Sequence, residues 1–207
     1  LAGGDEGTGR LAEPADIVSA AADVLAGSGS LAGRRVLVTA GGTREPVDAV
    51  RVITNRSSGK MGYALAVSAR RLGATVTLVS TVSRDAPVGV EVVAVETAAD
   101  MEAAVMSRSS ECDVVVMAAA VADFRPKEPS VGKTKKEHGA PEILLEPTHD
   151  FLVDLGNNKL DHQVIVGFAA ETDDLISNAT SKLRTKKLDF IVANDVSEPE
   201  AGFDVDT

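Results

Sequence analysis

Tryptophan is absent from this 207-residue sequence, and the other aromatics amount to five Phe and one Tyr. Base-stacking platforms are therefore scarce, which argues against single-stranded nucleic acid as a ligand. Positive charge is also short. Against 31 Asp and Glu stand 21 Lys and Arg, a net charge of −10, so any nucleic-acid surface would need a strong local reversal of sign. The single cysteine, Cys112, excludes an intramolecular disulfide and reads as filler at the edge of the core. The three histidines, His138, His149 and His162, lack metal-ligand spacing, so no protein metal site is expected. No stretch approaches the roughly 20 apolar residues of a membrane-spanning helix. With no basic-then-apolar leader pattern at the start, the expected setting is cytoplasmic, away from membranes and nucleic acid.

Hydrophobic residues nonetheless make up 44% of the chain, chiefly Ala, Val, Leu and Ile. At this length about 70% of the unfolded chain's surface can be buried, enough for one domain without staples. Residues 1–13 are Gly-rich, acidic and aperiodic, which predicts a linker, and 14–25 carry helical spacing through Ile17, Val18, Ala21 and Leu25. From residue 34 the pattern becomes regular. Apolar runs predict strands at 35–39, 74–80, 90–95, 113–118, 142–145, 163–168 and 189–193, alternating with helices at 59–72, 98–109, 150–157 and 173–187. Continuous rather than alternating apolar strands indicate a parallel sheet covered on both faces. The expected fold is α/β, a Rossmann-like three-layer sandwich with a mostly parallel sheet. In such folds ligands sit outside the carboxyl ends of the strands, where loops 41–58, 119–140, 169–172 and 194–199 would meet.

The stretch from Thr39 to Gly62 leaves a strand, crosses glycines, hydroxyls and arginines, and enters a helix. Unpaired backbone amides, a helix N-terminus and cations in one place suit a phosphate or carboxylate. It is not a P-loop, because Met61 follows Gly59-Lys60 and Thr54 stands where that motif needs glycine. Tight turns explain Gly41 and Gly42, and a helix cap explains Ser57 and Ser58, as well as phosphate contact does. Arg44, Arg51, Arg56 and Lys60 tip the balance, since four cations in one loop repel unless an anion is expected. Small residues at 118–122 would admit a flat ligand to the backbone, with Asp123 as an acceptor beside it. Nine of the 21 basic residues then fall in two stretches, Arg125 to Lys136 and Lys182 to Lys187, with Lys182 and Lys186 on one helix face. A polyanionic ligand accounts for both. With no nucleophile, histidine and acid set in view, the chemistry expected is positioning and charge neutralisation.

Gly41-Gly42-Thr43-Arg44-Glu45-Pro46, Asn55-Arg56-Ser57-Ser58-Gly59-Lys60-Met61-Gly62, Ala118-Ala119-Ala120-Val121-Ala122-Asp123-Phe124-Arg125, Lys133-Thr134-Lys135-Lys136, Val166-Gly167-Phe168-Ala169-Ala170-Glu171-Thr172 and Ala193-Asn194-Asp195-Val196 together resemble the phosphopantothenate–cysteine ligase family. That family is the synthetase half of a bacterial bifunctional coenzyme A enzyme whose other half is a flavin-dependent decarboxylase. The resemblance implies a CTP-dependent ligation. The carboxylate of 4′-phosphopantothenate attacks the α-phosphate of CTP, pyrophosphate leaves, and the amine of L-cysteine then displaces CMP from the acyl-cytidylate. It also implies Mg²⁺ carried by the triphosphate, a homodimer with shared sites, and FMN only in the fused decarboxylase half. Residues 1–30 would be the tail of that half and its linker, and 31–207 the ligase domain, stopping short of the family's final strands.

By position, the resemblance makes Asn55 and Lys133 catalytic, with Asn55 on the substrate carboxylate. Arg51 would reach the substrate phosphate of a neighbouring subunit, and Ala119 and Ala120 would line the pantothenoyl path. Gly41, Gly42, Ser57, Ser58, Gly59 and Gly62 would cradle phosphates. Met117, Ala118, Ala119, Asp123, Lys133, Asp150, Phe151, Phe168, Lys182 and Lys186 would contact the nucleotide, Asp123 being open to either ligand. The lysine loop, 130–139, would act as a lid hinged on glycines. Two departures stand out: His149 replaces a proline before Asp150, and Thr134 replaces an apolar residue. The alternatives are a non-catalytic nucleotide-binding module and an NADP-dependent oxidoreductase, in which Ser80 and Arg84 would hold the 2′-phosphate.

Overall fold

A computed structural model describes residues 29–135, 137, 139, 141–171 and 173–195. The linker and helix expected within 1–28, and the chain after 195, lie outside the described residues. Six strands form the central sheet: β1 (Arg35–Ala40), β4 (Thr75–Ser80), β5 (Val90–Ala94), β6 (Val114–Met117), β9 (Val164–Glu171) and β10 (Phe190–Asp195). Their order is β10-β9-β6-β1-β4-β5, and every pairing is parallel. Among the described residues the helices are α1 (Lys60–Arg71), α2 (Ala98–Ser109), α3 (Phe151–Asn157) and α4 (Leu175–Thr185). None is long and apolar enough to cross a membrane.

β1 shows why these residues form a parallel sheet. Its alternate side chains enter two separate cores, so both faces must be apolar. Val36, Val38 and Ala40 pack with Tyr63, Ala66 and Ala69 of α1, while Leu37 packs with Met101 and Val105 of α2 and with Phe151 and Leu155 of α3. The expected three layers follow. α2 begins with a reciprocal cap in which Thr97 and Asp100 satisfy each other's backbone N–H groups. The strand order changes direction at β1, between β4 and β6, which opens a crevice beyond their carboxyl ends.

Several expectations need correction. The strand expected at 142–145 is not in the central sheet. Leu145–Pro147 forms β8, paired antiparallel with β7 (Phe124–Pro126) as a two-stranded ribbon. Its three residues are too few to bury two faces, and exposed Leu144 and Leu145 show that a short apolar run alone does not specify a core strand. Loop 41–58 contains a second ribbon, β2 (Arg44–Pro46) against β3 (Val52–Thr54). β9 continues through 169–171, where a loop was expected, because β10 pairs with it as far as Glu171.

Candidate functional site

A cavity of about 990 Å³ lies over the carboxyl ends of β6, β9 and β10. One wall is the N-terminus of α1. Its N-cap is Gly59 at φ 75°, a left-handed conformation that glycine adopts without strain, and no side chain caps the helix. The first turn holds no acidic residue. The alternative reading of Ser57 and Ser58 as a helix cap does not hold: both precede the turn and line the cavity with Arg56 and Lys60. A helix end without a side-chain cap, flanked by cations, presents partial positive charge to the cavity. Gly62 lets α1 lie this close, since a Cβ there would stand 2.6 Å from Ala40 Cβ and 2.7 Å from Thr39 O.

The second wall, 118–122, is fixed from behind. Thr39 Oγ1 accepts from Ala119 N (3.0 Å) and Thr43 Oγ1 from Ala122 N (2.9 Å), and both threonines are fully buried. Ala120 N donates to Gly41 O (2.8 Å), while Thr43 N donates to Ala120 O (3.2 Å). Asn55 Nδ2 donates to Val121 O (3.1 Å), and Thr148 Oγ1 donates to Ala122 O. With these backbone groups engaged, the wall shows the cavity mostly small side chains. Sequence reading missed this supporting role of Thr39, Thr43 and Thr148. The available signal was hydroxyls placed at or just beyond the end of an apolar strand.

The third wall joins α3 to α4. Lys186 Nζ pairs with Asp150 (2.8 Å), and Lys182 lines the same space. His149 Nδ1 meets Glu102 Oε1 at 2.8 Å and Nε2 lies 3.3 Å from Asp154 Oδ2. The Glu102 hydrogen bond and charge, with Asp154 and Asp150 nearby, hold the imidazole above its ordinary pKa. Where a proline would stiffen this turn through its ring, His149 ties it to α2 and α3 by charge. Glu102, His149 and Asp154 are close enough to share a metal ion, but these contacts already account for them.

Of the residues expected in the site, the cavity gathers Asn55, Ser57, Ser58, Gly59, Gly62, Met117, Ala118, Ala119, Ala120, Asp123, Asp150, Phe151, Phe168, Lys182 and Lys186. Phe151 is only 2% exposed and serves mainly the core. Four residues lie elsewhere. Gly41 and Gly42 are buried beneath the wall, where a Cβ would stand 2.3 Å from Thr81 Oγ1 and 2.5 Å from Asn55 O respectively. Close packing accounts for both glycines without a phosphate. Arg51 and Lys133 are exposed beside the β2–β3 ribbon, outside the cavity. Ser80 is 2% exposed with its hydroxyl engaged by Val82, and Arg84 lies over the Tyr63 ring (5.7 Å), so neither reaches the cavity.

Residues 31–207 match the family described as DNA/pantothenate metabolism flavoprotein C-terminal domain. The chain belongs to this family. Across its whole length it is 50% identical to the coenzyme A biosynthesis bifunctional protein CoaBC of Bacillus subtilis, of which it covers 52%. It thus spans about half the length of the curated relatives it matches. The solved C-terminal domain of a CoaBC protein superposes with a TM-score of 0.69 at 49% identity, covering 79% of this chain and 78% of that one. A Cab2 variant solved with phosphopantothenate-cysteine shares the fold, with a TM-score of 0.64 at 19% identity over 89% of this chain and 80% of that one. In this family's fold the cavity occupies the crevice that parallel sheets commonly use for ligands.

Proposed function

We propose that this domain is a ligase of coenzyme A biosynthesis that uses CTP to join 4′-phosphopantothenate to L-cysteine in a cytoplasmic setting. The observation that carries this reading is the cavity itself. A helix N-terminus without a side-chain cap faces Lys182 and Lys186 across a wall of alanines, with Asn55 at its rim. This arrangement favours a ligand with anionic ends and a slim apolar body. The names of the relatives, of which this chain spans about half, support a place in coenzyme A biosynthesis.

In this mechanism the first-turn amides of α1, with Lys60, hold phosphate oxygens, and Lys182 and Lys186 offset the remaining charge. Asn55 Nδ2 donates to Val121 O at 3.1 Å and only at 3.5 Å to Ala120 O, and the weakly held hydrogen is the one that would turn to the carboxylate of 4′-phosphopantothenate. That carboxylate forms a bond to the α-phosphorus as the bond to pyrophosphate breaks. The cysteine amine then attacks the acyl carbon, loses a proton, and CMP departs. Bound to the triphosphate, Mg²⁺ would supply charge screening there. The cavity carboxylates Asp123 and Asp150 suit that supporting role better than a closed cage, because Asp150 is already paired with Lys186.

A homodimer with shared sites fits the surface beside Arg51. Val50, Val52, Phe124, Leu144 and Leu145 are all at least 43% exposed on the two ribbons. Apolar side chains grouped this way favour burial against a second copy. A fused decarboxylase, holding FMN, would account for the unmatched half of the relatives. The deciding assay measures CMP and pyrophosphate. Both should appear only with 4′-phosphopantothenate, CMP also requiring cysteine, and Asn55→Ala should abolish single-turnover pyrophosphate release. Tight NADPH binding with no CTP turnover would overturn the proposal.

A further inference from the structure

Asp48 lines no part of the cavity, yet its side chain is completely buried at the turn of the β2–β3 ribbon. Oδ1 accepts from Val50 N (2.8 Å) and Arg51 N (3.0 Å), which closes the turn. Oδ2 accepts from Arg51 Nη1 (2.8 Å) and from Thr134 N (3.2 Å), more than 80 residues away in sequence. Arg51 Nη2 completes the arrangement by donating to Thr134 O (3.1 Å). Both backbone polar groups of Thr134 are therefore held by one ion pair. Ser130 N, donating to Val47 O (3.0 Å), fixes the start of the same loop to the same ribbon.

We infer that the Asp48–Arg51 pair is a latch that holds the lysine loop on the ribbon and so positions Lys133. An exposed loop containing Gly132 loses conformational entropy on ordering, and a buried carboxylate with four donors supplies the opposing interaction. Backbone hydrogen bonds, that from Val50 N first, hold the Asp48 carboxyl below its ordinary value. One consequence concerns Arg51: it has work within its own subunit before any neighbour's phosphate arrives. Asp48 is a positioning residue, acting through Thr134. The nucleotide-binding part that the family resemblance gives Lys133 belongs with the ligase reading above; the latch stands without it.

Asp48→Asn separates turn from latch. The amide oxygen can still serve Val50 and Arg51, whereas the new NH₂ faces two donors, Arg51 Nη1 and Thr134 N. In ligand-free protein, hydrogen exchange at Thr134 should quicken by about tenfold or more, while the Val50 and Arg51 amides stay protected. Unchanged exchange at Thr134 would overturn the latch. Should Asp48→Asn fail to fold, Arg51→Lys serves: one ammonium cannot bridge Asp48 and Thr134 O as a guanidinium does, so exchange should still rise, and no rise would overturn the idea. In the ligase assay Asp48→Asn should raise KM for CTP. An unaltered KM would refute the positioning of Lys133. A wild-type protein releasing neither CMP nor pyrophosphate would refute the ligase reading while the exchange result still decided the latch.

Discussion

Replacing Thr43 with valine keeps the shape of a fully buried side chain and removes one acceptor. That acceptor serves Ala122 N at 2.9 Å, and Ala122 is itself only 3% exposed. Water cannot take its place without opening the wall. The expected cost is that of an orphaned buried donor, about 1–3 kcal/mol, set against a small gain from the added methyl. For a domain of this size about 2 kcal/mol lowers the melting temperature by roughly 4–8 °C. With a urea m-value of about 2 kcal/mol/M, the midpoint falls by roughly 1 M. Urea denaturation of wild type, Thr43→Val and Thr43→Ser would read this directly. Serine keeps the acceptor and loses only a buried methyl, so it should cost about 1 kcal/mol. Hydrogen exchange at Ala122 should quicken in the valine variant alone. A valine variant within about 0.5 kcal/mol of wild type, with Ala122 still protected, would refute the claim that Thr43 holds the cavity wall.

Gly62→Ala should destabilise by about 1–3 kcal/mol, because the added Cβ meets Ala40 Cβ and a backbone oxygen of the central strand; a neutral midpoint in urea would contradict the close approach of α1. His149 has a raised folded pKa, caused first by Glu102, so its contribution is complete below the ordinary value of 6.5 and is lost as pH rises through the folded value. The urea-midpoint gap between wild type and His149→Ala should therefore be largest near pH 5.5 and shrink toward pH 8.5, and a gap that widened with pH would count against the pairing. Mixing Arg51→Ala and Asn55→Ala subunits should restore part of the activity if sites are shared across a dimer. No recovery in verified mixed dimers would remove the shared site.

The central sheet and the helices on its two faces were legible because each depends on a local repeat. Runs such as Val36 to Thr39 bury both faces of a strand, Val114 to Met117 bury one face and half-bury the other, and α1 and α2 carry helical spacing. The two ribbons were not legible. β2, β3, β7 and β8 have three residues each, too short for periodicity to register. What holds them is distant: Glu45, 2% exposed, accepts from Ala98 N at 2.8 Å, and Asp48 accepts from Thr134 N. A buried carboxylate reaching a helix amide 53 residues on leaves no mark in a sequence window.

By itself the sequence determined the α/β class, the place of the cavity at the strand ends, and many of the residues that line it, since Gly59 and Lys186 adjoin regular helices. The family's motifs carried the rest of that reading. Only the tertiary structure decided which glycines face the cavity. Gly59 lines it, whereas Gly41 and Gly42 are glycines because Thr81, Val82 and the Asn55 carbonyl leave no room for a side chain. It also decided that Arg51 is bound to Asp48 and Thr134 within its own chain. Residue type and spacing report what a side chain can do; burial and partners, set by contacts far apart in sequence, fix what it does.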